Sequence, residues 1–204
     1  MVTDQEEILS AIPSLLQSHH NTMLKAIPSP EEIFQALNSL PGDKAPGLDG
    51  FLTFFFQAYW EVVKRDVTKV IQEFFGARNL LKELNATFLV LILKIPGADS
   101  IDKFRPISLC NSFYKIISKV LTTRLLSILH LIMSLQQTSF VPGRQILDSI
   151  ITVHEVIHSL EVGKKEGFLL KLDMSKSYDR VDWNFLMVVL QAFGLDAQVC
   201  KLIF

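Results

Sequence analysis

Residues 86–97, "ATFLVLILKIPG", form one unbroken apolar run that ends in a Pro-Gly turn. Helical runs that pack on one side are interrupted by polar residues every third or fourth position, and this one is not. Its length and its β-branched content suit a buried strand, with Lys94 delivered at the strand end. Segments of helical period lie on both sides of it, so the chain reads as α+β, predominantly helical with a few short strands.

The helices announce themselves by their starts. "SPEEIFQALNSL" places Ser29 as N-cap, Pro30 at the first helical position and Glu32 three residues after the cap, with Ile33, Leu37 and Leu40 along one side. "LPGDKAPGLDGF" breaks that helix with two prolines and three glycines. Phe55, Tyr59, Val62, Val63, Val70 and Phe74 then recur at helical spacing, which predicts one long helix over residues ~52–75. The period returns over 112–133 through Phe113, Ile116, Ile117, Val120, Leu121 and Ile128, and again over 146–160. "FLLKLDM" reads as a second short buried strand finishing at Asp173, "DWNFLMVVLQAFG" as a further helix with Asp182 as its cap, and Asp196 as the N-cap of another. Only "AQVCKLIF" follows Asp196. The expectation is a piece of a longer protein.

Composition narrows the function. With 49% apolar residues the chain can bury a core, and its net charge of −1 argues against a wholly basic, histone-like binder. Charge is nonetheless uneven. Lys94, Lys103, Arg105, Lys115, Lys119, Arg124 and Arg144 face only Asp99 and Asp102 between positions 94 and 144, a candidate phosphate-facing region whose ordinary alternative is a solvated helix face. No window reaches ~18 consecutive apolar residues, and the start "MVTDQEEILS" is acidic where a targeting peptide is basic, so no membrane partner is expected. Cys110 and Cys200 form no C-x-x-C pair, and a reducing, intracellular location is the default.

Two stretches suggest metal chemistry. His154, Glu155 and His158 stand in the order H-E-x-x-H, the spacing of zinc hydrolases. That site needs a third ligand, and no histidine follows. On a helical wheel Ile146, Ile150, Val153 and Ile157 centre the apolar face, and the two histidines lie on its flank. Asp173, at the end of its expected strand and followed by "MSKSYD", is the other candidate. A carboxylate on a strand end can hold Mg²⁺ together with substrate phosphates, although aspartate is also common as a cap.

Five words in fixed order carry more weight than any one of them. "KAPGLDG" (44–50), "FRPISLCN" (104–111), "YKIISKVLTTRL" (114–125), "SFVPGRQILD" (139–148) and "LKLDMSKSYDRVDW" (170–183) together resemble the reverse transcriptase of LINE-type non-LTR retrotransposons. The resemblance runs from about Ile12 onward. It implies an RNA-directed DNA polymerase shaped like a right hand, of which this chain is the fingers and the start of the palm. Residues 1–26 would then be a helical extension and 27–204 the fingers with an incomplete palm. The implied partners are an RNA template, a DNA primer and deoxynucleoside triphosphates, and the implied cofactor is Mg²⁺ or Mn²⁺. Residue by residue, the resemblance makes Asp173 a catalytic metal ligand assisted by the Met174 carbonyl. It sets Tyr178 under the deoxyribose, where it excludes a 2′-hydroxyl. Lys94 and Arg105 become the grip on the triphosphate, which suits a lysine point charge and a forked guanidinium. Arg144 becomes a template-backbone contact. For the "KAPGLDG" loop, a tight turn that needs Gly47 and Gly50 explains the wording as well as any contact with substrate.

The pattern also departs from the family. Its second catalytic box, an aromatic followed by x-Asp-Asp, is absent, since the sequence contains no Asp-Asp pair. Leu48 and Leu93 stand where proline is common, Ser149 where asparagine is common and Ser177 where alanine is common. One aspartate cannot fix two ions about 4 Å apart, so the chain is expected to be inactive by itself. The competing class is a non-catalytic nucleic-acid binder whose affinity falls steeply with salt.

Overall fold

The computed structural model describes residues 2–135, 137–138, 141, 143–168, 170 and 180–204. Among them the helices are α1 (Val2–Ser10), α2 (Ser18–Lys25), α3 (Pro30–Asn38), α4 (Thr53–Ala58), α5 (Trp60–Ala77), α6 (Lys82–Asn85), α7 (Ser112–Ile132), α8 (Ile146–Val162), α9 (Trp183–Ala192) and α10 (Ala197–Ile203). The strands β1 (Thr87–Leu93) and β2 (Phe104–Cys110) form one antiparallel pair. This is the expected helix-rich α+β pattern. The chain divides into two compact units, 22–124 with 201–204 and 1–21 with 125–200.

The first unit is built on α3, α5 and α7. Ser29 caps α3 as expected, its Oγ accepting the Glu32 N–H at 3.2 Å. The core joins Ile33 and Leu37 of α3, Phe56 of α4, Trp60, Val67, Ile71 and Phe75 of α5, and Ile116, Ile117 and Val120 of α7. The single long helix expected over ~52–75 is two. At Tyr59 the backbone turns to φ −107°, ψ 25°, ending α4 and starting α5. Phe56, Trp60, Val67, Ile71 and Phe75 are buried in one helical phase on both sides of this break, so the apolar period carries no sign of it. The local departure accompanies packing of the Tyr59 ring against Phe55, with centroids 5.2 Å apart.

The run at 86–97 is a strand, but not a buried one. All seven residues of β1 are exposed, and β2 is its single strand neighbour among the described residues. β2 itself contains Pro106, opposite Leu91. A two-strand ribbon tolerates this, because each strand bonds its partner through alternate residues only.

The "KAPGLDG" loop is anchored to the junction of β2 and α7. Buried Asn111 accepts the Asp49 N–H (3.2 Å) and donates to the carbonyls of Glu83 (2.9 Å) and Leu84 (3.4 Å). Asp49 in turn accepts the Ser112 N–H at the start of α7 (3.4 Å), where a carboxylate also meets the positive end of the helix. Both glycines are explained. A Cβ on Gly47 would stand 2.5 Å from the Asn111 backbone nitrogen, and Gly50 has φ +72°. The structure thus gives this loop a structural reason for its wording.

In the second unit, Asn21 clasps the turn after α9. Its Nδ2 donates to the Gly194 carbonyl and its Oδ1 accepts the Asp196 N–H, each at 2.8 Å. Leu15 and Leu16 both donate to the Phe193 carbonyl, and a Cβ on Gly194, at φ +105°, would stand 2.5 Å from the Leu16 oxygen. Asp182 and Asp196 cap α9 and α10, as their positions suggested. Helix α8 forms as expected, but it buries no residue. The anticipated apolar face, Ile146, Ile150, Val153 and Ile157, lies open because no described residue packs over it.

The two thiols differ in access. Cys200 is 1% exposed, and burial, then the charge of Asp196, raises its pKa, whereas Cys110 is half-buried. At pH 8 a thiol reagent is expected to modify Cys110 rapidly and Cys200 at least ~10-fold more slowly, because a raised pKa leaves less thiolate and burial blocks approach. Stopped-flow labelling followed by peptide mapping checks this; equal rates would show the 194–200 turn to be open in solution.

Candidate nucleotide-binding tip of the strand ribbon

The strands place the two residues expected to grip a triphosphate at one end of the ribbon. Ladder pairs run from Thr87 with Cys110 to Leu93 with Phe104, so Arg105 stands opposite Ile92. The Lys94 N–H still donates to the Lys103 carbonyl at 2.8 Å, but the Lys103 N–H turns back to the Ser100 carbonyl at 3.0 Å, closing the 3-10 turn Ile101–Lys103 where the ladder ends. Opposed residues of an antiparallel pair share a face, and alternate residues along a strand return to it. Arg105 shares the face of Ile92 and, two residues on, of Lys94; Lys103, at the end of the 3-10 turn Ile101–Lys103, is brought beside them at the tip by the bond from Lys94. The family resemblance had nominated two of the three as the triphosphate grip; Lys103 was named only as one cation of the basic region, because nothing in "FRPISLC" announces the strand whose pairing brings positions 94 and 103 together.

The tip is exposed and cationic. The Lys94 ammonium donates to the Asp102 carbonyl at 2.7 Å, so its charge rests on a peptide oxygen and not on a carboxylate. Arg105 is exposed and makes no side-chain bond among the described residues. The Lys103 ammonium instead sits 2.5 Å from the Asp99 carboxylate. That hydrogen bond, with smaller help from the Asp99 backbone and Ser100, holds the Asp99 carboxyl below its ordinary pKa. Three cations thus face one turn, and only Lys103 has an acidic partner.

Other expected residues lie elsewhere. Arg124, counted among the phosphate-facing cations, is 7% exposed and turned into the first unit, where it forks onto Glu32 at 2.7 Å on both oxygens. It is a structural ion pair; its place on the inner side of α7 was masked by the basic residues around it. Lys115 donates to the Ala45 carbonyl at 3.0 Å. In the second unit, Arg144 gives its guanidinium to the carbonyls of Ser134, Gln137 (2.6 Å) and Met133 (3.5 Å), just past the end of α7. Asp173, Met174 and Tyr178, and with them most of the expected strand at 168–174, lie outside the described residues. His154, Glu155 and His158 are on α8 and exposed. Among the described residues no three His, Cys, Asp or Glu side chains converge on a metal position. None of the helices described is long and apolar enough to cross a membrane.

Comparison with known proteins identifies the family to which this helix-rich chain with its cationic strand tip belongs. Residues 94–204 match the family reverse transcriptase (RNA-dependent DNA polymerase), and the chain belongs to that family. It is also 32% identical over 194 residues to the Transposon TX1 uncharacterized 149 kDa protein of Xenopus laevis, a match that covers 95% of this chain and 15% of that protein. A retroelement reverse transcriptase fragment is thereby supported.

Proposed function

We propose that the chain is the fingers and the beginning of the palm of a LINE-type non-LTR retrotransposon reverse transcriptase, and that the complete enzyme makes DNA on an RNA template from deoxynucleoside triphosphates. The observation that carries this reading is the placement of Lys94 and Arg105 on one exposed face of the ribbon tip, within the family match. Triphosphate oxygens need cations that are not already held by carboxylates, and these two meet that need. Residues 1–26 act as an extension preceding the polymerase core. Asp173 contributes to the metal site with the Met174 carbonyl, and Tyr178 guards against ribonucleotides. When bound, Mg²⁺ or Mn²⁺ supplies charge neutralisation at the transferring phosphoryl group. Arg144, a half-buried residue bonded to three carbonyls, contributes to template contact.

The 204 residues contain no Asp-Asp pair, so the chain alone is expected to be inactive; the alternative reading is a non-catalytic nucleic-acid binder. Incubated with primed RNA, deoxynucleotides and Mg²⁺ or Mn²⁺, it is expected to give no extension above background. A chain lengthened to include an x-Asp-Asp box should extend the primer, and Asp173→Asn should return that activity to background. Processive synthesis by the 204-residue chain would overturn the need for further carboxylates. Binding of primed RNA should fall steeply with salt, with a log–log slope of about −0.9 per phosphate contacted. Affinity unchanged between low and high salt would remove the electrostatic basis of the reading.

A further inference from the structure

We infer that Lys103 is a third triphosphate-binding cation and that Asp99 holds it in reserve, releasing it when a polyphosphate arrives. The inference rests on the proposed triphosphate grip of Lys94 and Arg105 and adds to it. Position carries the first part: Lys103 ends the turn Ile101–Lys103, two residues before Arg105, and Lys94 bonds that turn twice, through its N–H to the Lys103 carbonyl and through its ammonium to the Asp102 carbonyl. The second part comes from the partners. Lys94 rests on a neutral carbonyl and Arg105 has no bonded partner among the described residues, whereas the Lys103 ammonium is 2.5 Å from Asp99 across four positions of chain. Both members of that pair reach solvent, at 36% and 77% side-chain exposure, so water can replace either contact and exchange is not opposed by burial. A polyphosphate brings several negative charges to the same tip. It competes with a single carboxylate for Lys103, and it is repelled by that carboxylate as it does so.

An alternative role is purely structural, the pair bracing the turn 99–103 that connects the strands. The two roles separate by sign. If the pair only braces the tip, Lys103→Ala and Asp99→Asn disturb it alike, and both weaken binding. If Asp99 restrains Lys103, Lys103→Ala weakens binding and Asp99→Asn strengthens it.

The test titrates inorganic tripolyphosphate, then a deoxynucleoside triphosphate, into the 204-residue chain by calorimetry at low salt. Lys103→Ala is expected to weaken binding about 5-fold, Lys103→Arg to restore most of it, and Asp99→Asn to tighten it about 2- to 5-fold, all diminishing at high salt. Weakening by both Lys103→Ala and Asp99→Asn would overturn the inference, as would no change in either, provided that Arg105→Ala still weakens binding; the triphosphate grip then stands without Lys103. If Arg105→Ala and Lys94→Ala have no effect, the grip itself is lost and the inference with it. Far-UV circular dichroism of each variant verifies the fold, which an exposed tip should leave intact.

Discussion

Replacement of Arg124 by alanine is expected to destabilise the first unit by about 3–5 kcal/mol, as loss of one member of a buried ion pair does. The guanidinium makes five contacts at once. Nε and Nη2 fork onto the two Glu32 oxygens at 2.7 Å, Nη1 donates to the carbonyls of Leu24 (3.0 Å) and Ala26 (2.5 Å), and the plane lies 5.0 Å from the Phe75 ring centre. It thereby ties α7 to α3, and to the carbonyls at and just beyond the end of α2. Alanine would leave two carbonyls and one carboxylate without a donor. Glu32 is 34% exposed and can recover water, which places the effect toward the lower end of the range. Lysine keeps the charge but not the fork, so Arg124→Lys should recover less than half. Glu32→Gln, which spares the carbonyl bonds, should cost only about 1–2 kcal/mol. Urea denaturation read by circular dichroism gives these differences; a loss below about 1 kcal/mol for Arg124→Ala would mean that the pair is open in solution.

Phe75→Ala should be as damaging, about 3–5 kcal/mol, because the ring is 1% exposed and its removal leaves a cavity between packed helices. Its neighbour Phe74 meets it edge-on at 5.4 Å, and the same ring carries the Arg124 contact. The two substitutions therefore share an interaction, and the double variant should fall short of the sum by about 0.5–2 kcal/mol. Strict additivity would show that the guanidinium gains nothing from the ring.

Part of this was legible without coordinates. The caps at Ser29, Asp182 and Asp196 were readable because capping is local: a side chain two or three residues away satisfies an orphan N–H. The ordered words named the family for a related reason, since each preserves short-range chemistry in one segment. Apolar period found the helices but not the break at Tyr59, where the buried stripe keeps its phase across a change in backbone. The same kind of signal predicted a buried strand at 86–97. It found the strand correctly and misjudged its burial, because an apolar run tells what a segment would favour and not whether another element covers it.

The sequence by itself determined strand β1, most of the longer helices and three of their caps, the family, and the candidate triphosphate cations Lys94 and Arg105. Tertiary structure alone decided which cations face outward. Arg124 lies among the same basic residues as Lys94, Lys103 and Arg105, yet it is turned inward onto Glu32, ninety-two positions earlier in the chain. Lys103 joins Lys94 and Arg105 only through the pairing of β1 with β2. Charge belongs to a residue, but its direction and its partners are long-range properties, and they are set when distant segments pack.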